Sequence, residues 1–196
     1  RSNLGGNPKV GIVSTLSPDF VYINKKSSAK VISISNEFRT VLNEINIDIP
    51  SDYKAADVII FLSPVLAHKR MKEAELISYL KFVNKNILNN SYKNIMIKPH
   101  PREDMPLLEK LVYSIYNKDI TIADQRPIEL YLNQIKAKIW SGMPSTGMLN
   151  NFFLQGKGKA KYLIFPPLGK GSRYLKTGLD TMKKIMGDDL VIQFFK

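Results

Sequence analysis

The sequence of 196 residues contains no cysteine and only two histidines, His68 and His100. Without cysteine the chain can form neither a disulfide framework nor a thiolate metal site, and two histidines are too few to suggest a zinc site. No apolar run reaches the roughly 18 residues that a membrane-spanning helix needs, and residues 1–10 lack the apolar core of a signal peptide. Because the chain begins without methionine, on a stretch rich in Gly and Asn, we expect it to be a piece of a longer protein.

Acidic residues are also scarce relative to basic ones. The chain has 29 Lys and Arg against 17 Asp and Glu, which gives a formal charge of +12. Such a surface attracts nucleotide phosphates, acidic sugars and anionic lipid headgroups. Nucleic acid is not expected as a partner, because no basic and aromatic motif of a nucleic-acid-binding module is present. The densest basic cluster, residues 68–72 (HKRMK), is interpreted as the solvated start of a helix.

Short β-rich runs alternate with amphipathic helical segments, which predicts an α/β fold with a parallel sheet flanked by helices. Several strands are continuous apolar runs, as is typical of strands that are covered on both faces. A loose boundary at 48–56 does not divide the chain, so one domain over residues 1–196 is predicted. The predicted strands are 9–14, 30–34, 57–62, 94–98, 119–123, 137–140, 161–165 and 190–194, and the predicted helices are 36–46, 70–88, 105–116, 127–135, 146–154 and 172–186.

Three loops that follow strands have unusual sequences: 63–69 (SPVLAHK), 99–104 (PHPRED) and 141–147 (SGMPSTG). In an open parallel sheet, ligands bind at the carboxyl ends of the strands, near the point where the strand order reverses. These loops are therefore the candidates for a binding site.

The second of these loops holds His100 between Pro99 and Pro101. The prolines stiffen the backbone and keep the histidine out of a helix or a strand ladder. His100 is either a structural residue of a tight turn or a group that donates a hydrogen bond to a phosphate and acts as a general acid. Lys98 and Arg102 either add positive charge toward a bound anion or are ordinary surface cations.

The third loop leads into the helix predicted at 146–154. Ser145 or Thr146 can cap this helix, and Gly142 and Gly147 permit close approach of the backbone. The free amides of the first turn favour a phosphate, although a purely structural cap has the same sequence. The loop is not a P-loop, because the Walker lysine and its spacing are absent.

Glu129 lies just behind Pro127 at the start of the helix predicted at 127–135. Its carboxylate either complements the helix dipole or accepts hydrogen bonds from the two hydroxyls of a ribose. The sequence leaves both interpretations open.

Together these loops resemble the nucleotide-binding, C-terminal half of bacterial sialyltransferases with the GT-B fold, especially glycosyltransferase family 52 and its polysialyltransferase relatives. The resemblance rests on an HP motif (KPHPRE, 98–103), an acidic helix start (PIELYL, 127–132), a serine-threonine motif (PSTG, 144–147) and the strand and proline turn FLSPVL at 61–66. It implies a Rossmann-like donor-binding domain. It also implies an inverting, metal-independent enzyme of capsule or lipooligosaccharide synthesis that transfers sialic acid from CMP-sialic acid, without a cofactor, to a glycan acceptor.

The resemblance also implies roles for individual residues. His100 would contact the donor phosphate and assist the departure of CMP, while Glu129 would hold the ribose. Ser145 and Thr146 would bind the phosphate at the helix N-terminus. The backbone of Pro99–Pro101 and of Gly142–Met143 would lie against cytosine.

The catalytic base is where the sequence departs from the resemblance. Family 52 enzymes are expected to carry a carboxylate shortly before the long helix that leads to the HP strand, where this chain reads SPVLAHKRMKEAE (63–75) without an aspartate. Glu73, the first acid of this segment, is the first candidate, and His68 is the second. A base elsewhere, a different chemistry and an inactive protein are the alternatives.

A chain of 196 residues is short for a complete GT-B enzyme, which has two Rossmann-like domains. It is either the donor-binding half or a reduced homologue that forms its cleft as a homodimer. We expect a cytoplasmic protein, with peripheral association with the anionic inner face of the cell membrane. Two other functions remain: a GT-B cell-envelope transferase with a CDP- or UDP-linked donor, such as a polyol-phosphate polymerase, and a non-catalytic module that binds nucleotide, nucleic acid or membrane.

Overall fold

A computed structural model of the protein describes residues 12–15, 30–33, 35–44, 47–87, 92–116, 120–167, 179–180 and 182–195. The strands are β1 (Ile12–Thr15), β2 (Lys30–Ser33), β3 (Val58–Phe61), β4 (Ile95–Lys98), β5 (Thr121–Ile122), β6 (Ile139–Gly142), β7 (Lys161–Ile164) and β8 (Leu190–Ile192). The α-helices are α1 (Ser35–Glu44), α2 (Ser51–Lys54), α3 (Glu73–Ile87), α4 (Met105–Tyr116) and α5 (Thr146–Gln155), and 3-10 helices occur at Ile128–Tyr131 and Gly187–Asp189.

Strands β3 to β8 form one parallel sheet in the order β5-β4-β3-β6-β7-β8, while β1 and β2 pair separately in parallel. The chain builds outward from β3 to β5, returns to the other side of β3 and continues to β8. This is the strand order of a Rossmann fold, in which the order reverses between β3 and β6. The predicted α/β fold with a parallel sheet flanked by helices is therefore confirmed.

Hydrophobic residues cover the sheet on both faces. Strands β3 and β4 are buried along their whole length, as their continuous apolar sequences predicted. On one face the core joins β3 and β4 to α3 and α4, and on the other it joins β3 and β6 to α5. Buried side chains of the first cluster include Leu76, Leu80, Val83, Leu108 and Val112, and those of the second include Tyr131, Trp140, Met148 and Phe152.

Most predicted helices agree with the structure to within three residues at each end, but the prediction at 127–135 is wrong. Only one 3-10 turn, Ile128–Tyr131, forms there, and a further turn follows it. Ile128, Tyr131 and Ile135 are buried at spacings of three and four. The 3-10 turn satisfies the first spacing, and the turn that follows, in which Ile135 N donates to Tyr131 O at 3.1 Å, satisfies the second without an α-helix. The helix predicted at 172–186 lies partly outside the described residues, within which 179–180 and 182–186 are helical.

Local capping determines where two of the helices begin. Asp104 Oδ1 accepts a hydrogen bond from Leu107 N at 3.2 Å, so α4 starts directly after the PHPRED loop. Helix α3 starts at Glu73, three residues later than predicted, because the basic cluster 68–72 closes a separate turn before it. None of the described helices is both long and apolar enough to cross a membrane.

The carboxyl ends of three neighbouring strands lie at one level. Phe61 of β3 is in register with Lys98 of β4 and with Gly142 of β6. Gly142 has φ of 101°, and a Cβ on it would lie 2.4 Å from Phe61 O, so only glycine fits. The loops after β3, β4 and β6, which the sequence had singled out, consequently leave the sheet side by side at the point where the strand order reverses.

Candidate active site

Two adjoining cavities open at this end of the sheet, with volumes of about 720 and 220 Å³. We call them the large cleft and the small cavity. Their shared wall consists of Phe61, Leu62, His100, Pro101, Ser145 and Thr146. The large cleft is otherwise lined by Ser63, Pro64, His68, Arg70, Arg102, Met143 and Pro144, and the small cavity by Lys98, Pro99, Arg126, Pro127, Ile128, Glu129 and Gly147.

His100 is half-buried in the shared wall and is held by its own loop. Its Nδ1 accepts a hydrogen bond from Arg102 N at 3.1 Å, which assigns the ring proton to Nε2. Burial, with the nearby charges of Arg102 and His68, lowers the pKa of His100 below its usual value. At neutral pH the side chain is thus a neutral N–H donor rather than a cation.

Ser145 and Thr146 form the opposite part of the same wall, at the N-terminus of α5. Ser145 is the N-cap, with φ of −140° and ψ of 143°, and its Oγ accepts from Gly147 N at 3.2 Å. The Ser145 hydroxyl proton remains available to a ligand, and Thr146 is exposed beside it. Helix α5 has ten residues, so its positive end favours an anion at this position.

Glu129 lies in the small cavity, half-buried on the 3-10 turn. Its Oε1 accepts a hydrogen bond from Asn150 Nδ2 of α5 at 2.9 Å. Within the described part of the chain, no donor is bonded to Oε2. A Cβ on Gly147 would lie 2.6 Å from Ile128 Cγ2, so this glycine lets α5 pack directly against the turn that carries Glu129.

Lys98 is buried beneath the small cavity, with 3% of its surface exposed. Its Nζ donates to Pro99 O at 3.1 Å and to Asp124 O at 2.8 Å. Burial lowers the pKa of Lys98 to about 8, against the attraction of Asp124 and Glu129. The interpretation of Lys98 as an ordinary surface cation is therefore wrong, and its third N–H is free to face the cavity.

Sequence reasoning missed a second cation of the small cavity, Arg126. Its Nε and a terminal nitrogen donate to Asp124 Oδ2 at 2.9 and 2.6 Å, and its guanidinium lies 5.2 Å from the centre of the Tyr131 ring. Burial raises the pKa of Asp124, but the hydrogen bonds from Arg126 and Tyr131 outweigh it and hold this pKa below its usual value. The sequence did contain a signal for this pair. Residues 124–127 (DQRP) directly follow a predicted strand and place an acid and an arginine two residues apart.

The large cleft has a different character. Its polar side chains His68, Arg70 and Arg102 are exposed, and no described Asp or Glu lines it. Glu73, the first predicted base, is exposed at the start of α3 and lines neither cavity. The structure thus brings His68 into the cleft with His100 and leaves Glu73 outside.

Every other predicted site residue lies at or beside these cavities. Pro99 and Pro101 line the small cavity, and Pro101 also belongs to the shared wall. Gly142 forms the end of β6 directly before the lining residue Met143. A separate cavity of about 480 Å³, next to α1 and the C-terminal end of α5, contains none of the predicted site residues. In the described ranges no three His, Asp or Glu residues form a group that could hold a metal ion.

Comparison with models of known protein families gives a match. The model of a family described as alpha-2,8-polysialyltransferase (POLYST) matches residues 7–160. This span contains every lining residue of the large cleft and of the small cavity. No curated protein sequence matches the chain.

Proposed function

The chain belongs to the alpha-2,8-polysialyltransferase family, and on this basis we propose that it transfers sialic acid from CMP-sialic acid to a hydroxyl of a glycan acceptor with inversion. Membership makes it a sialyltransferase-type glycosyltransferase, which uses a nucleotide-sugar donor and a glycan acceptor. The observation that carries the finer proposal is the shared wall. A neutral imidazole and a helix N-terminus meet there, between a cavity with a carboxylate and a cleft with exposed cations.

The small cavity suits the nucleoside of the donor. Glu129 Oε2 is available to accept from ribose hydroxyls, while Asn150 holds the other carboxylate oxygen. Arg126 and Lys98 add positive charge on the same side. The backbone of Pro99–Pro101, which lines this cavity, would lie against the cytosine ring.

The shared wall suits the phosphate. As the bond between the anomeric carbon and the phosphate oxygen breaks, CMP leaves with the electron pair as a phosphate monoester. His100 Nε2–H, the Ser145 hydroxyl and the Thr146 amide at the start of α5 can donate to the developing charge. Donors that are already in place lower the barrier without reorganisation. We propose that these groups supply the charge stabilisation, so that the reaction needs no metal.

The large cleft suits the sugar and the acceptor. In the proposed step the acceptor oxygen attacks the anomeric carbon from the face opposite CMP, and its proton must pass to a base. Of the described residues in the cleft, His68 and His100 alone have a side chain of the kind that serves as a general base. Since His100 serves the phosphate, we assign the proton to His68 rather than to Glu73.

We further propose that the chain supplies the donor-binding half of a GT-B enzyme. Both cavities are built on one Rossmann-like sheet. A second domain or a second copy of the chain would then complete the acceptor side of the large cleft. The net charge of +12 supports peripheral attachment of a cytoplasmic enzyme to an anionic membrane.

One observation favours a second candidate, a nucleotide-binding module without catalysis. No carboxylate lines the described part of the large cleft, whereas the resembling enzymes use a carboxylate base. In this case the small cavity and the shared wall would bind the nucleotide, and the large cleft would not catalyse a reaction. Formation of a product that depends on the donor would distinguish the transferase from the non-catalytic module.

The test combines binding and transfer. With EDTA present, millimolar CMP should raise the melting temperature by a few degrees, and CDP and UDP should raise it less. The purified protein, mixed with CMP-sialic acid and sialylated oligosaccharides, should release CMP and extend the acceptor. Binding of CMP without release would favour the non-catalytic module, and unchanged melting with all three nucleotides would contradict both candidates.

A further inference from the structure

The loop between β3 and α3 folds into a compact helical turn beside the large cleft. Arg70 N donates to Val65 O at 2.8 Å. Lys69 N donates to Leu66 O at 2.9 Å, and the two bonds together close the turn as a Schellman motif. Lys69 takes the left-handed φ of 51° that this motif requires. The closure fixes the positions from which His68 and Arg70 reach the cleft.

The first amides of this turn are held by a carboxylate from another loop. Ala67 N donates to Glu103 Oε1 at 2.9 Å, and Leu66 N donates to Oε2 at 3.4 Å. Asp104 N donates to Oε1 at 3.0 Å. Glu103 is only 6% exposed, so backbone amides at the positive end of a helical turn compensate its buried charge. A glutamine at position 103 would keep one acceptor oxygen. Its NH₂ group would replace the other and would face a backbone N–H, so that two donors would oppose each other.

Glu103 also belongs to the loop that carries His100. Its N donates to His100 O at 3.0 Å, and its O accepts from Gln125 Nε2 at 2.9 Å. One residue therefore joins the loops that follow β3, β4 and β5. In particular, it connects the turn that bears His68 to the turn that bears His100.

We propose that Glu103 is a positioning residue that sets the His68 turn against His100 across the large cleft, an inference that rests on the proposed transferase function. Glu103 lines neither cavity, so it acts through the turn rather than on the substrates. Its loss frees the turn that bears the base and leaves the small cavity as it is. The turnover number then falls while the affinity for CMP stays the same.

The experiment compares Glu103→Gln with wild type and with Glu109→Gln, the same change at an exposed position of α4. We expect kcat of Glu103→Gln to fall roughly 10- to 100-fold, as displacement of a reacting group by about 1 Å does. Its Kd for CMP should stay within about twofold of wild type. Amide exchange at Leu66 and Ala67 should accelerate about tenfold or more, with β4 unchanged. Glu109→Gln should match wild type in all three.

Glu103→Asp keeps the charge and the burial but is one methylene too short to reach both amides. It should fold and show an intermediate loss of kcat, which keeps the test valid if Glu103→Gln does not fold. Unchanged exchange at Leu66 and Ala67 would overturn the inference, as would faster exchange with an unchanged kcat. If wild type binds no CMP and transfers nothing, the proposed function fails, and the exchange measurement alone still decides whether Glu103 holds the turn.

Discussion

The small cavity and the large cleft share one wall but differ in how their polar groups are held. In the small cavity, Lys98, Arg126 and Glu129 each have a hydrogen-bonded partner. In the large cleft, His68 and Arg70 are exposed side chains on a turn whose backbone is fixed from a distance. A preorganised site loses little entropy on binding, whereas exposed flexible cations lose more. Under the proposed function, the small cavity is thus a preorganised site for the nucleotide, whereas the large cleft is a surface that the acceptor must order.

The largest expected effect tests the assignment of the base on the cleft side. His68→Ala should lower the rate of sialic acid transfer by about 10²- to 10⁴-fold, the usual contribution of a general base. Its affinity for CMP should not change, because His68 lines the large cleft and not the small cavity. Steady-state transfer assays and calorimetry with CMP provide the two numbers. Glu73→Gln is the matched control and should keep its activity; the reverse pattern would return the base role to Glu73.

The next effect concerns the strand end on which both cavities depend. Gly142→Ala places a methyl group against Phe61 O in a backbone with φ of 101°, and should lower the free energy of unfolding by about 3 kcal/mol or more. Gly158→Ala has φ of 76° but no atom within 4 Å, so it should lose only about 1 kcal/mol. Urea unfolding measures both. Equal losses would mean that Phe61 is not in contact with residue 142.

The buried lysine of the small cavity predicts a pH dependence of stability. Because burial lowers the pKa of Lys98 to about 8, the unfolded chain binds more protons than the folded one above that pH. Burial thus costs stability below pH 8, and this cost disappears as the pH rises toward 10. Relative to Lys98→Met, wild type should gain about 2 to 3 kcal/mol of unfolding free energy between pH 7 and pH 10. The control Lys110→Met, at an exposed position of α4, keeps Lys98 and should follow the pH dependence of wild type.

A smaller effect tests recognition of the ribose. Glu129→Gln should weaken CMP binding about tenfold, the usual value of a hydrogen bond to a charged acceptor. Binding of 2′,3′-dideoxy-CMP should be the same in wild type and variant, because the hydroxyls that Glu129 would hold are missing. Calorimetry with the two ligands forms a double cycle, with Glu109→Gln as control. Equal weakening of both ligands would place Glu129 away from the ribose.

The sequence predicted the sheet well, because its strands are continuous apolar runs between turn residues and parallel order follows from their alternation with helices. Ser145 could be predicted as one of two possible caps because helix capping depends only on neighbouring residues of the sequence. The burial of Lys98 could not be read, because it depends on the carbonyl of Asp124, 26 residues away. Glu103 escaped notice because its partners lie 36 and 37 residues away, and contacts of this kind have no local pattern.

Under the proposed function, the phosphate of the nucleotide lies at His100, between the two cavities. Calorimetry of CMP and cytidine binding to wild type and His100→Ala tests it most directly. Wild type should bind CMP about 10- to 100-fold more tightly than cytidine, and His100→Ala should lose about tenfold for CMP and nothing for cytidine. An equal loss for both ligands, or no preference of wild type for CMP, would contradict the account.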